Sequence, residues 1–243
     1  MAIEYMYDLI QGSEEWHAAR LGLLTASQMK NIITATTLKP VAGIEKGTSA
    51  FLLDIVAQRA AQWTEESYSS WDMQRGQVEE VYAKDLYIKH RAPVKDCGFI
   101  TNDHWGFKIG FSADGLVGET GFIEAKSRNQ KYQTQTIIDG VVPAEYMMQI
   151  QSGFLVTERE WCDFISYSNG LPMFIRRVTP DENTMAAIEE AAFVFEKKAK
   201  ELLEIYKDKC AGLIVAPRRD PEDGTEIKPS HDKENPTDYY MAG

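Results

Sequence analysis

The sequence predicts a mixed α/β domain, a central and largely antiparallel sheet flanked by helices. Three observations predict it. Helical periodicity dominates up to residue 90, strand-like runs crowd between 94 and 127, and a second strand pair at 161–178 is bracketed by helical segments. Hydrophobic residues make up 44% of the 243, enough to build a sizeable core.

Taken in order, "GSEEWHAARLG" reads as a short helix with Ser13 as N-cap and Gly22 closing it. Thr25 and Gln28 have capping-box spacing, which predicts a second helix over 26–33. The Thr- and Gly-rich stretch 34–49 reads as a loop. Helices follow at 50–63, with Leu52, Ile55, Val56 and Trp63 as its apolar positions, and at 70–90, with Gly76 inside it. Pro93 ends that region, and "VKDCGFIT", "WGFKIGFS" and "GFIEAKS" read as strands. Helices are expected at 129–139 and, after Pro143, at 144–157. Two strands, "WCDFISYS" and "LPMFIRRV", are joined through Asn169-Gly170, a hairpin signal. Met185, Ile188, Ala192, Phe195, Ala199, Leu202 and Tyr206 alternate at three and four residues, marking a long amphipathic helix over 181–209. From Ala216 the composition turns to proline and charge. Residues 1–215 therefore read as one domain and 216–243 as a surface-running or flexible tail.

Bulk properties bound the function. The formal charge is −11, from 26 basic and 37 acidic residues, so no domain-scale basic footprint for nucleic acid exists; local basic patches remain compatible with it. The three cysteines, Cys97, Cys162 and Cys210, form no CxxC pair, which removes zinc-knuckle and iron–sulfur readings and fits free thiols in a reducing cytosol. The four histidines show no metal-ligand spacing, and His17, Trp16 and Trp105 read as structural. With no signal-peptide pattern and no apolar run of about 18 residues, the expectation is a soluble cytoplasmic protein.

Chemistry gathers in "GFSADGLVGETGFIEAKS", residues 110–127. Side chains alternate along a strand, so Glu124 and Lys126 share one face, their Cα atoms about 7 Å apart. Ser112 and Asp114 share a face of the preceding run, and pairing the two runs brings Asp114 near Glu124. Close carboxylates repel unless something positive lies between them. Hard oxygen ligands without Cys or His suit Mg²⁺ or Mn²⁺. Such an ion can polarise a phosphoryl oxygen, and a nearby Lys⁺ can stabilise growing negative charge. Lysine acts as a base only where its pKa falls. Asp-Gly turns and wet Glu-x-Lys strands are also commonplace without chemistry.

The "D…E-x-K" hairpin is the signature of the PD-(D/E)xK nuclease superfamily, although Ala113 stands at the position of the superfamily's proline. Four segments in order, "EEWHAARLGLLTAS", "RGQVEEVYA", "SADGLVGETGFIEAK" and "YMMQIQ", resemble the phage lambda-type 5′→3′ exonucleases. The resemblance implies a restriction-endonuclease-like core, with Asp114, Glu124, the backbone carbonyl of Ala125 and Glu80 as metal ligands. It implies Lys126 as the catalytic lysine and Gln149 beside the metals. Arg20, Ser27 and Ser112 are implied to hold a terminal 5′-phosphate. It selects Glu80 over adjacent Glu79, and Gln149 over Gln151. Periodicity alone sets Glu80 off the apolar stripe of Val78, Val81, Tyr82 and Leu86. Arg20 offers a planar fork suited to phosphate, and Ser27 falls in the first turn of an expected helix, where free N–H groups favour an anion. "AKSR" departs from the family's more apolar, proline-containing continuation.

The resemblance therefore implies a Mg²⁺-dependent (or Mn²⁺-dependent) exonuclease using one or two ions. It would digest the 5′-ended strand of linear duplex DNA to mononucleotides and leave 3′ single strands for recombination. A ring-shaped homotrimer around DNA, a single-strand annealing partner, and a phage or prophage protein in a bacterial host are implied with it. The competing readings are a restriction-like or structure-specific endonuclease on the same fold, and a non-catalytic DNA-binding protein.

Overall fold

The computed structural model describes residues 3–64, 71–219 and 224–226. Its strands divide between two four-stranded sheets and a small hairpin. The first sheet runs β1 (Ile3–Met6), β5 (Phe99–Asn102), β6 (Ile109–Phe111) and β2 (Leu24–Thr25). The second runs β10 (Phe174–Val178), β9 (Trp161–Tyr167), β8 (Gly121–Ser127) and β7 (Gly115–Val117). The small hairpin pairs β3 (Ile33–Thr34) with β4 (Lys39–Pro40), inside a stretch expected to be loop. Pairing is mixed and largely antiparallel, with β2–β6 and β8–β9 parallel.

The helices are α1 (Glu14–Arg20), α2 (Ala50–Ala61), α3 (Trp71–His90), α4 (Gln130–Asp139), α5 (Ala144–Thr157) and α6 (Glu182–Lys209). Ser13 caps α1 by accepting from the Trp16 amide, and Gly22 turns the chain out of it at φ 66°. The helix expected over 26–33 is instead a short 3₁₀ turn, Ala26–Asn31. Gln28 Oε1 does reach back to the Thr25 amide at 3.1 Å, but Ile33 is claimed by β3 before an α-helix can form. Strand β1 carried no sequence signal strong enough to predict it; its residues pair with β5 from Ile3↔Asn102 to Met6↔Phe99.

Helix α5 lies at the centre. It packs on both sheets at Gly153, where an added Cβ would come within 2.9 Å of Phe111 and 3.0 Å of Phe122. On its other side sits α6, which buries Ile188, Ala191, Ala192, Phe195, Ala199 and Leu203. Tyr206, expected on the same stripe, is exposed because the helix outruns the core. Alternation along β8 splits its side chains between two layers. Phe122 joins the main core under α5, while Ile123 and Ala125 join a second cluster with Ala83 and Tyr87 of α3. Helix α3 is further tied down by Tyr87, which donates to Asp163 Oδ2 at 2.7 Å, while Arg177 grips the same carboxylate with two 2.8 Å contacts. The apolar stripe predicted for α3 is not the packed face: Val78, Val81, Tyr82 and Leu86 are exposed. Ala83 and Tyr87 are the residues that meet the sheet, and this turns Glu80 inward.

The tail read from 216 onward lies mostly outside the described residues; within them, Arg218 stacks on the Trp63 ring at 4.1 Å. Residue 70 of the helix expected over 70–90 also lies outside them. Among the described residues, no helix is long and apolar enough to cross a membrane.

Candidate active site

Because β2 and β6 run parallel, Leu24↔Ile109 and Thr25↔Gly110, their C-terminal ends leave the first sheet on the same side. Thr25–Ser27 and Ser112–Asp114 therefore converge. The hairpin then forms in the second sheet, tighter than expected: its first arm is only Gly115–Val117, since Gly110–Phe111 belong to β6 of the other sheet. Register Gly115↔Ile123 carries Asp114 to the level of Glu124, and the Ala125 amide donates to Asp114 Oδ2 at 2.6 Å.

Glu124 is fully buried. Its Oε1 accepts from Gln149 Nε2 at 2.6 Å and pairs with Lys126 Nζ at 2.6 Å, while its Oε2 is buried with no hydrogen-bond partner. Burial pushes the Glu124 carboxyl up to about 8, against the pull of Lys126. Glu80 is raised to about 7 by burial and by the charge of Asp114, again opposed by Lys126. Asp114 is raised by burial as well. Burial works against the Lys126 cation, but Glu124, Asp114 and Glu80 outweigh it and hold its pKa above the usual lysine value. In this arrangement Lys126 keeps its proton and stands as a positive charge among the carboxylates.

Neighbouring candidates separate by contact. Glu80 lines the same cavity as Asp114 and Lys126, whereas Glu79 accepts from Ser127 Oγ at 2.6 Å. Gln149 touches Glu124, whereas Gln151 donates to Thr179 O and accepts from the Asp181 amide, organising the start of α6.

Arg20 forms the opposite wall. Its Nη1 donates to Ser112 Oγ at 3.0 Å and its Nη2 to Thr25 Oγ1 at 3.5 Å, and its guanidinium lies 4.1 Å over the Trp16 ring. Burial lowers its pKa to about 10. Ser27 is exposed, its Oγ 3.4 Å from Thr25 Oγ1. One cavity of about 150 Å³ is lined by Arg20, Ser27, Ser112, Glu80, Asp114, Lys126 and Gln149, so the two predicted clusters share a single space. The sequence reading missed Gln11, Trp16 and Thr25, which line it too. Gln11 carried no signal. Trp16 did: it precedes Arg20 by four residues, one helical turn, on α1.

The residues fit a hard divalent cation. Three carboxyl groups with raised pKa values gather here: Glu80 and Asp114 line the small polar cavity, and Glu124 is buried next to them with its Oε2 acceptor unsatisfied. Among the described residues no trio of His, Cys, Asp and Glu is already closed around one point. The carboxylates are instead engaged by Lys126, Gln149 and the Ala125 amide.

A family model, the YqaJ-like viral recombinase domain, matches residues 15–160. The chain is 33% identical to an alkaline exonuclease (LHK-Exo) from Laribacter hongkongensis, with a TM-score of 0.72 over 83% of this chain and 100% of that one. The structure of LHK-Exo in complex with dAMP matches at 34% identity and a TM-score of 0.72, with the same coverage. A phage related exonuclease from Haemophilus somnus 129PT, 12% identical, shares the fold at a TM-score of 0.56 over 76% of this chain and 96% of its own. None of the curated proteins matches the chain.

Proposed function

Because the chain belongs to the YqaJ-like viral recombinase domain family and is a DNA nuclease, we propose that it is a Mg²⁺-dependent 5′→3′ exonuclease. It digests one strand of linear duplex DNA to mononucleotides and leaves 3′ single strands for recombination by annealing. The observation that carries this reading is the shared cavity: hydrolytic residues (Glu80, Asp114, Lys126 and Gln149, with Glu124 buried behind Lys126 and Gln149) and an anion pocket (Arg20, Ser27, Ser112) meet at one small space. A nuclease that cuts internally has no need of a terminal-phosphate pocket beside its carboxylates.

Asp114, Glu124, Glu80 and the Ala125 carbonyl would hold the ion, Mg²⁺ or Mn²⁺. When bound, it supplies Lewis-acid polarisation of the phosphoryl oxygen and a water of lowered pKa. Lys126 places a cation where negative charge grows on the phosphoryl oxygens. Gln149 holds Glu124 by its Oε1 and so orients Oε2. Arg20 and Ser112 donate to the terminal phosphate and fix the register of the end.

We further propose that residues 1–215 act as one exonuclease domain. Three copies would form a ring that keeps basic residues on a DNA-facing channel and acidic ones outside, which reconciles nuclease activity with the charge of −11. A single-strand annealing protein is the expected recipient of the 3′ strand. The setting is the cytoplasm of a bacterial host carrying a phage or prophage.

The test is digestion of linear duplex, with and without a 5′-phosphate, and of covalently closed circles, in Mg²⁺ with the products sized. Mononucleotides from 5′-phosphorylated ends and intact circles are expected. Nicked circles would transfer the assignment to an endonuclease.

A further inference from the structure

Ser112 Oγ accepts two hydrogen bonds, from the Trp16 indole N–H and from Arg20 Nη1, each at 3.0 Å. A serine hydroxyl has two acceptor lone pairs and one donor proton. Both lone pairs are thus committed, and among the described residues no acceptor takes the remaining proton. Ser112 lines the cavity, so that proton is left to point into the space beside Arg20. Were the indole N–H absent, the hydroxyl would be free to rotate, and its proton would no longer be pre-oriented toward an incoming anion. The indole is itself fixed. Its N–H is shared with Gly98 O at 3.0 Å, and its ring face lies 4.1 Å from the Arg20 guanidinium. Gly98 itself is held against the backbone of Leu9, where an added Cβ would come 1.9 Å from Leu9 O. One aromatic side chain therefore acts on both halves of the pocket, the direction of the Ser112 proton and the plane of the Arg20 fork.

We infer that Trp16 is a positioning residue: its N–H makes Ser112 an obligate donor toward a bound phosphate monoester and so sets the preference for phosphorylated over hydroxyl 5′ ends. The inference rests on the proposed terminal-phosphate pocket and assigns within it a residue that acts through Ser112 and Arg20.

The test measures kcat/KM on matched duplexes with 5′-phosphate and 5′-hydroxyl ends and takes their ratio. Trp16→Phe keeps an aromatic face under Arg20 and deletes the N–H. The ratio is expected to fall about fivefold, chiefly through KM, the loss of one well-placed hydrogen bond. In a Ser112→Ala background the same change is expected to leave the ratio where Ser112→Ala alone puts it. A packing role would lower kcat/KM on both ends alike; an unchanged ratio, or an equal effect in the Ser112→Ala background, overturns the inference. If Trp16→Phe fails to fold, the benzothienyl isostere of tryptophan at position 16, which removes only the N–H, gives the same readout. A wild-type protein indifferent to the 5′ group overturns the pocket itself. A wild-type protein that discriminates, beside variants that discriminate equally well, overturns only the role of Trp16.

Discussion

Lys126 Nζ lies 2.6 Å from Glu124 Oε1; the two side chains share one face of β8, Glu124 fully buried and Lys126 lining the cavity. The pair keeps lysine charged where a lone buried amine would lose its proton. Lys126→Met is therefore expected to lower kcat at least about 100-fold with little change in KM, because the charge matters when the transition state forms. Single-turnover kinetics on a 5′-phosphorylated duplex check this. An equal loss in binding and turnover would instead make Lys126 a substrate anchor.

Arg20 presents its fork through two donors, one to Ser112 and one to Thr25, with its face on Trp16. Lysine keeps the charge but neither the fork nor the stacking. Arg20→Lys is expected to act nearly like Arg20→Ala, costing about 10- to 100-fold in kcat/KM on 5′-phosphate ends, the range for charged hydrogen bonds. On 5′-hydroxyl ends the loss should be far smaller. A similar loss on both ends would remove Arg20 from phosphate recognition.

The turn that follows Arg20 is anchored by α2 and, through it, by α6. Arg59 Nε donates to Gly22 O at 2.8 Å and its Nη2 meets Glu196 of α6 at 2.7 Å, with the two side chains only 8% and 10% exposed. Gln58 Oε1 accepts from the Gly22 amide at 3.0 Å. Arg59→Ala leaves Glu196 buried without its cation and is expected to cost about 3 kcal/mol in denaturant unfolding. Glu196→Gln should cost less, and the double variant less than the sum of the two. Strict additivity would mean that the pair does not couple α2 to α6.

The elements with strong periodicity or a strong turn signal were legible: α5, α6, the Asn169-Gly170 hairpin and the alternation of β8 all appear at or near their expected bounds. What was not legible depended on partners distant in sequence. β1 is four residues whose strand partner is β5, almost a hundred positions away. The 26–33 segment carries a helix start signal, yet the pairing of Ile33 with Pro40 stops it short. Helix α3 was misread in orientation, because an apolar stripe is normally the packed face. Here Ala83 and Tyr87 do the packing and Val78, Val81 and Tyr82 stay exposed. That same rotation brings Glu80 to the cavity, a position only family resemblance had suggested. The hairpin spacing foresaw the approach of Asp114 to Glu124. It could not foresee that the first arm splits between two sheets, which is what sets Ser112 against Arg20.

The carboxylates predict how stability responds to pH and metal together. Glu124, raised to about 8, and Glu80, raised to about 7, start from an ordinary value of 4.5. A carboxyl whose folded pKa exceeds its unfolded pKa binds its proton more tightly when folded. Its contribution is complete below the unfolded value and is lost as pH climbs through the folded one. Lys126, also raised, keeps its contribution throughout that window and loses it only in strong alkali. The metal-free protein is therefore expected to lose thermal stability between about pH 5 and pH 8.5, and Glu124→Gln should flatten that slope. A divalent ion binds the ionised carboxylates, so Mg²⁺ should raise Tm more at pH 8.5 than at pH 5.5, by the mass-action gain of a ligand specific to the folded state. Scanning calorimetry with EDTA and with Mg²⁺ at both pH values tests the pair of statements. A Mg²⁺ effect equal at the two pH values, or one that survives in Asp114→Asn/Glu124→Gln, would locate the ion elsewhere.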